Sequence, residues 1–206
     1  MNLSQLRTVT RRYVQDTASV EWSDAEVNQN INDAYYDLQL ELQMSNPEAI
    51  IAWDTIDLTI DVNWYPKPPT FGLIQVATDA DGGATLSYTK LKFKNYEDIK
   101  GLTGTDQYAT ERGDWIGLFP APDLSVTNGM EVMHRPIDTL SADADIPKLK
   151  LPTHQAICLQ AKIFMLGDTN ENADKDEAKL TKIKERMPLL YMGAVDGASV
   201  VSLRGM

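Results

Sequence analysis

Apolar residues recur at steps of three and four near both ends of the chain and at steps of two in its middle. That change of period separates helical from strand-forming stretches. At the start Leu3, Leu6, Val9 or Thr10, and Tyr13 make a helical stripe, with Asn2 or Ser4 available as cap and Arg7, Arg11 and Arg12 outside it. A second helix start lies in VEWSDAEV, residues 20–27. Here Ser23 is placed as N-cap, Glu26 completes a capping box three residues on, and Trp22 and Val27 occupy the two positions of a hydrophobic staple. Beyond it Val27, Ile31, Ala34, Tyr35, Leu38 and Leu42 continue the stripe until Ser45-Asn46-Pro47 stops it, predicting a one-faced helix of about twenty residues.

From Trp53 to Pro136 the helical period gives way to β-prone runs: WDTIDLTID, FGLIQVAT, ATLSYTKLKFK, DWIGLF and MEVMHR. Turn signals separate them at YPKPP (65–69), DADGG (79–83), FPAPD (119–123) and TNG (127–129). Ile56, Leu58 and Ile60 alternate with Asp57, Thr59 and Asp61, as a half-buried strand requires. Roughly five or six short strands predict a small antiparallel sheet or barrel, and NYEDIKGL reads as one helical turn.

Helices resume in THQAICLQAKIFMLGD, with Thr153 as cap, Ala156, Ile157, Gln160 and Phe164 at helical positions and Gly167 at the end. This segment is apolar nearly all round and is the candidate central helix. DTNENADKDEAKLTKIKERMPLL then gives a polar turn and a helix striped by Leu180, Ile183 and Met187 and broken at Pro188. The last stretch, GAVDGASVVSLRGM, has no core of its own.

The pattern defines an α+β chain. N- and C-terminal helices share one helical bundle, a small antiparallel β lobe is inserted between them, and a C-terminal arm extends beyond. The expected boundaries are 1–50 and 149–192 for the helical body, 51–148 for the β lobe and 193–206 for the arm.

Charge adds a constraint. The 206-residue chain carries a formal net charge of −11, so a surface built to grip nucleic acid by its phosphates is not its main feature. Between Glu21 and Ala80 there are 11 acids against Lys67 alone, which reads either as a solvated acidic face or as a surface that lets DNA pass without sticking. No run approaches a membrane span, and MNLSQLRTVTRRY lacks the features of a signal peptide, so synthesis in a cytoplasm is expected. Cys158 has no second cysteine to pair with, and His134 and His154 offer no zinc-ligand spacing, so neither a metal nor a cofactor is expected.

The search for chemistry finds no phosphate loop, nucleophile elbow, HExxH or CxxC. Cys158 and His154, four apart on one helix, form a conceivable dyad, but a thiol among Ile157, Leu159 and Ala161 reads as a core residue. The pairs Asp79/Asp81 and Asp143/Asp145 lack a calcium-binding loop, and Trp115 and Phe119 read as sheet core before a pocket lining. No catalytic residue is assigned.

In their order along the chain, LSQLRTVTRRYVQDT, WSDAEVNQNINDAYYDLQ, GLFPAPD, MEVMHRPIDTLSADADIP and LPTHQAICLQAK resemble the head-to-tail adaptor proteins of tailed bacteriophages. The resemblance implies a virion structural protein at the neck, not an enzyme. On that resemblance it would self-associate in a ring, commonly dodecameric, beneath the portal protein. The ring would extend the DNA channel, let genomic DNA through without specific binding, touch no membrane, and offer a platform to tail, nozzle or other neck proteins. Leu3–Asp16, Trp22–Met44, Leu151–Asp168 and Asp174–Met187 would form the ring body. The β lobe would face tail components, and Gly193–Met206 would be the arm that docks on the portal. In the arm Val195, Val200, Val201 and Leu203 are apolar residues in a segment too short to bury them alone, as expected of a tail that orders on a partner. Trp22, Ser23, Glu26 and Val27 would fix the corner between two helices. Two other classes remain: another neck or tail component, namely a stopper, tail terminator or tail tube, and a small intracellular enzyme using the Cys158 region.

Overall fold

The structure is a computed structural model that describes residues 1–47, 49–79, 87–104, 106–169 and 172–191. It is a mixed α+β chain dividing into two compact units, one formed by residues 1–49 with the chain from Ile137 onward, the other by Ile50–Pro136.

The first unit is helical: α1 (Leu3–Val14), α2 (Asp24–Ser45), α4 (His154–Leu166) and α5 (Ala173–Tyr191). Reciprocal bonds cap α1, with Gln5 N–H donating to Asn2 Oδ1 (2.9 Å) and Asn2 N–H to Gln5 Oε1 (3.0 Å). The α1 stripe buries Leu3, Leu6, Thr10, Val14 and also Arg11, whereas Tyr13 stays half-buried. Arg11, expected outside the stripe, goes inward because two carboxylates meet it there. In α2 the periodic residues Val27, Ile31, Ala34, Tyr35, Leu38 and Leu42 are all buried. Each fully buried aliphatic side chain stabilises by about 1.5–3 kcal/mol, so this one face outweighs any single cap.

Helix α4 is buried on most of its surface, and α1, α2 and α5 all pack on it. Two details differ from expectation. Phe164 is exposed, because the buried faces are already supplied by Ile157, Leu159, Ala161 and Met165. Thr153 does not cap α4: a 3-10 turn, Leu151–Thr153, leads into it, and the Thr153 hydroxyl donates to Lys150 O (2.7 Å). Helix α5 also runs through Pro188 to Tyr191. A mid-helix proline costs about 3 kcal/mol. The burial of Met187 and Tyr191 on the Leu180 face, with the Lys150 N–H donating to the Tyr191 hydroxyl (2.7 Å), opposes that cost.

The second unit contains β1 (Ala52–Leu58), β2 (Trp64–Pro66), β3 (Thr70–Thr78), β4 (Thr89–Lys90), β5 (Lys92–Phe93), α3 (Tyr96–Ile99), β6 (Tyr108–Arg112), β7 (Trp115–Phe119) and β8 (Val126–Pro136). These strands form two four-stranded sheets, ordered β1-β8-β3-β4 and β2-β7-β6-β5. Both are antiparallel except for β5 against β6, which pair in parallel because α3 lies between them in the chain. Leu58, Tyr65, Val76, Ala109, Ile116, Leu118, Met130 and Val132 make their shared core.

The TNG sequence is not a chain reversal: it lies within β8. Asn128 has φ 53°, and the register against β1 shifts between Ile56 and Leu58, so the left-handed residue that a turn would use forms a bulge. The bulge is pinned by Asn128 N–H donating to Asp57 Oδ1 (2.7 Å). A β-carbon on Gly129 would lie 2.7 Å from Val126 Cβ, so a side chain there would displace the strand. Gly117 is likewise covered by its cross-strand partner Trp64, whose ring leaves no room for a β-carbon.

Candidate functional site

In the helical unit a dense set of polar bonds braces the corner between α1 and α2. Gln15 ends α1 in the left-handed region (φ 63°), and Asp16 follows as a buried carboxylate. Its Oδ1 accepts from the Val20 (2.8 Å) and Glu21 (3.2 Å) backbones, its Oδ2 from the Trp22 backbone (3.1 Å) and from Arg11 Nη1 (2.6 Å). Burial pushes the Asp16 pKa up, but three N–H donors and the Arg11 guanidinium outweigh it and hold the carboxyl below its usual range.

The arginines continue the network. Arg11 Nη2 donates to Asp24 Oδ1 (2.7 Å), and Arg7 reaches Asp24 (3.3 Å), Asn28 Oδ1 (2.8 Å) and Asp143 Oδ1 (2.5 Å). Two arginines thus tie α1 to the first turn of α2 and to the segment that precedes α4. The hydrogen bond from Arg11 lowers the Asp24 pKa, with Arg7 and Arg11 adding charge attraction. Ser23 caps α2 in extended conformation: its N–H and hydroxyl donate to Glu26 Oε2 (2.8 and 2.7 Å), and Glu26 N–H donates to Ser23 Oγ (3.3 Å). Those bonds hold the Glu26 carboxyl low. Val27 is fully buried and Trp22 half-buried.

Residues 137–149 belong to the same constellation although they form no helix or strand. Asp138 Oδ2 accepts from the Tyr35 hydroxyl (2.7 Å), which accepts in turn from Lys148 N–H (2.8 Å). Gln39 bonds the Asp138 backbone at both ends of its amide (2.9 and 3.0 Å), and Asn32 does the same for Leu140 (3.0 and 2.8 Å). Three polar side chains on one edge of α2 therefore hold an irregular strap in place, as buried backbone groups require. No signal in the sequence marks them: Asn32, Tyr35 and Gln39 meet partners about a hundred residues away.

The residues with chemical potential are placed apart. Cys158 is fully buried, its thiol directed at Leu6 O (3.7 Å) and pushed up to about 11 by burial. His154 has both ring nitrogens occupied, Nε2 by Leu149 O (2.8 Å) and Nδ1 by the Met1 amino group (2.8 Å), so it does not serve Cys158. Burial lowers the His154 pKa. Asp143 and Asp145 turn to different partners. Asp145 closes its own turn by accepting from Ser141 and Ala142 N–H (2.7 and 2.8 Å), and Asp81 lies outside the described residues. Among the described residues no three His, Cys, Asp or Glu side chains converge as a metal site would need. In the β unit, Trp115 is half exposed and lines an open groove of about 460 Å³ with Trp64, Arg112 and Asp114, while Phe119 packs edge-on against Trp64. Val195, Val200, Val201 and Leu203 lie outside the described residues.

A buried ion-pair corner and a polar strap brace the helical unit. A family model for SU10 adaptor proteins matches residues 1–201, nearly the whole chain. The chain belongs to the SU10 adaptor protein family and is thus a phage adaptor, a structural component that works among other phage head and tail proteins. No curated protein matches it. Among the described residues no helix is long and apolar enough to cross a membrane.

Proposed function

We propose that this chain forms the head-to-tail adaptor ring of the virion neck. Copies associate in a ring, dodecameric by resemblance to other adaptors, that docks on the portal, extends the DNA channel and gives the tail its attachment platform. The family match over residues 1–201 is the observation that carries this reading. The corner at Asp16 supports it, because a ring subunit must hold the angle between its helices against load, and a buried, multiply bonded carboxylate does that without relying on the β unit. In this arrangement the helices at both ends of the chain make the ring body, the β lobe, Ile50–Pro136, faces the tail, and Trp22, Ser23, Glu26 and Val27 set the α1–α2 angle. Residues 193–206 form the docking arm, with Val195, Val200, Val201 and Leu203 as its apolar anchors. The ring's acidity repels the phosphates of passing DNA.

Deleting residues 194–206 leaves a folded protein, with the far-UV CD and melting temperature of the full chain, that no longer joins portal-bearing heads in a co-sedimentation assay. Normal attachment by the truncated chain rules the arm out as the docking element.

A further inference from the structure

Helix α2 presents an acidic outward face and helix α5 a basic ridge, and each has exposed apolar residues beside its charges. On α2 there is no Lys or Arg at all, and the exposed side carries Glu26, Asp33, Asp37 and Glu41, of which Glu41 also meets Lys184 of its own chain (2.7 Å) while its side chain stays 45% exposed. Beside these acids Leu40 and Met44 stand in solvent, Met44 being 78% exposed. On α5 the exposed residues Lys175, Lys179, Lys182 and Arg186 recur at steps of four, three and four, so they form one ridge, and none forms an ion pair with a described carboxylate. Leu189, 63% exposed, continues that ridge at its C-terminal end. In a chain of net charge −11 such a basic ridge is unusual, and the complementary surface lies on the same molecule.

We propose that the α5 ridge of one copy docks on the outward face of α2 in a second copy. The inference rests on the ring reading above and names the surface that would make the ring. Three observations favour this occupant. The signs are opposite, which steers partners and fixes register. The spacing matches: Asp37 and Met44 are 7 residues apart, as are Lys182 and Leu189, so one parallel register sets acid against base and Met44 against Leu189.

The polarity matches as well. Lys162 in the second half of α4 pairs with Asp176 near the start of α5 (2.5 Å), and Lys150, just before α4, meets Tyr191 at the end of α5 (2.7 Å), so α5 runs antiparallel to α4. Helix α1 runs with α4, since Met1 meets His154 and the Leu6 carbonyl meets Cys158. Helix α2 opposes α1, since Arg11 meets Asp24 and Arg7 meets Asn28. Helices α2 and α5 of one chain therefore run in the same direction, and a parallel pairing between copies needs only rotation. Two different faces on one chain make a head-to-tail contact, the kind that closes into rings.

The test uses phage carrying the full chain with Cys158→Ala, Met44→Cys and Leu189→Cys, purified as particles and oxidised. Both new thiols replace exposed residues. A ladder of covalently joined copies is expected on a non-reducing gel, and neither single-cysteine chain gives it. Particles that contain the chain but give no ladder overturn the proposal, as do dimers from Met44→Cys alone, which would mean a two-fold contact. If the parent chain is absent from particles, the ring reading itself has failed, a different result. A second arm reverses charge. Lys182→Glu with Arg186→Glu abolishes incorporation, and adding Asp37→Lys with Glu41→Lys, the acids that this register sets against them, to the same chain restores it, each purified chain being checked for fold by CD. No restoration overturns the pairing. Normal incorporation of Lys182→Glu/Arg186→Glu with loss of DNA retention assigns the ridge to nucleic acid instead and also overturns it.

Discussion

Tyr35→Phe isolates the strap from the rest of the helical unit. The ring is fully buried and Phe keeps it in place, so no cavity opens and only the hydroxyl is lost. Two bonds go with it: the one donated to Asp138 Oδ2 and the one accepted from Lys148 N–H. A hydrogen bond to a charged group contributes about 1.5–3 kcal/mol and one to a neutral backbone group about 0.5–1.5 kcal/mol. Asp138 keeps an exposed partner in Lys148 Nζ (3.1 Å), which trims the first figure, so the expected loss is about 2–3 kcal/mol. At about 2–4 °C per kcal/mol for a chain of this size, the melting temperature falls by roughly 5–10 °C. Urea unfolding followed at 222 nm reads the helical unit, with an unchanged slope showing that only stability moved. Tyr13→Phe is the control: its hydroxyl is half exposed and accepts one bond, from Gln155 (3.1 Å), so the change stays under about 0.5 kcal/mol. If the two substitutions cost the same, the strap is not held by the Tyr35 hydroxyl and the reasoning fails.

Acid should unfold the helical unit through its corner. Asp16, Asp24, Glu26 and Asp145 all have carboxyls held low in the folded state, so the unfolded chain binds more protons in that window. Their contribution is complete above about pH 5 and is lost as pH falls through the folded values; a urea midpoint that stays flat from pH 6 to pH 3 contradicts this, and Asp16→Asn should flatten the dependence. Gly117→Ala places a β-carbon 2.7 Å from Thr110 Cγ2 and from the Trp64 ring, and overpacking of that kind costs about 1–3 kcal/mol, read as lower stability of the β unit by near-UV CD. The Cys158 thiol, buried and with its pKa pushed up to about 11, resists a disulfide reagent at pH 8 until denaturant is added; Cys158→Ala retains infectivity and costs about 1 kcal/mol, whereas loss of infectivity by a stable variant would revive a chemical role for the thiol.

The helix starts were legible because caps are local: Ser23 and Glu26 are three residues apart, and their bonds close within one turn. What resisted reading was set by partners distant in the chain or by the reuse of a local preference. Arg11 sits on a polar-looking flank, and only the fold brings Asp16 and Asp24 to it. Asn128 does adopt the left-handed backbone a turn would use, but the strand continues past it as a bulge because β1 supplies Asp57 as a partner. Pro188 carries a helix-breaking preference that burial of Met187 and Tyr191 overrides. The strap residues Asn32, Tyr35 and Gln39 looked like ordinary positions of a helix because their partners follow the whole β unit in sequence.

The acidic stretch now has a physical division of labour. Of its 11 acids, Asp24, Glu26, Asp33, Asp37, Glu41, Asp54 and Asp57 each accept a hydrogen bond or ion pair within the chain. Bracing does not hide them: the Asp24, Glu41 and Asp54 side chains remain 60, 45 and 52% exposed, so the same carboxylates that hold the structure keep their charge at the surface. A solvated face and a DNA-repelling wall are therefore not alternatives at the level of single residues; what separates them is which acids a neighbouring copy covers. If α5 of the next copy docks on α2, then Asp33, Asp37 and Glu41 are withdrawn from any wall that DNA meets, and repulsion must come from acids elsewhere on the chain. The two roles also respond differently to salt. Attraction between copies across an exposed, partly hydrated seam weakens over a Debye length of about 8 Å at physiological ionic strength. Loss of ring cohesion on raising salt, with the same salt dependence in the chain that carries both reversed helices and no ring at any salt in the chain that carries only one, would place these acids between subunits and not along the path of the genome.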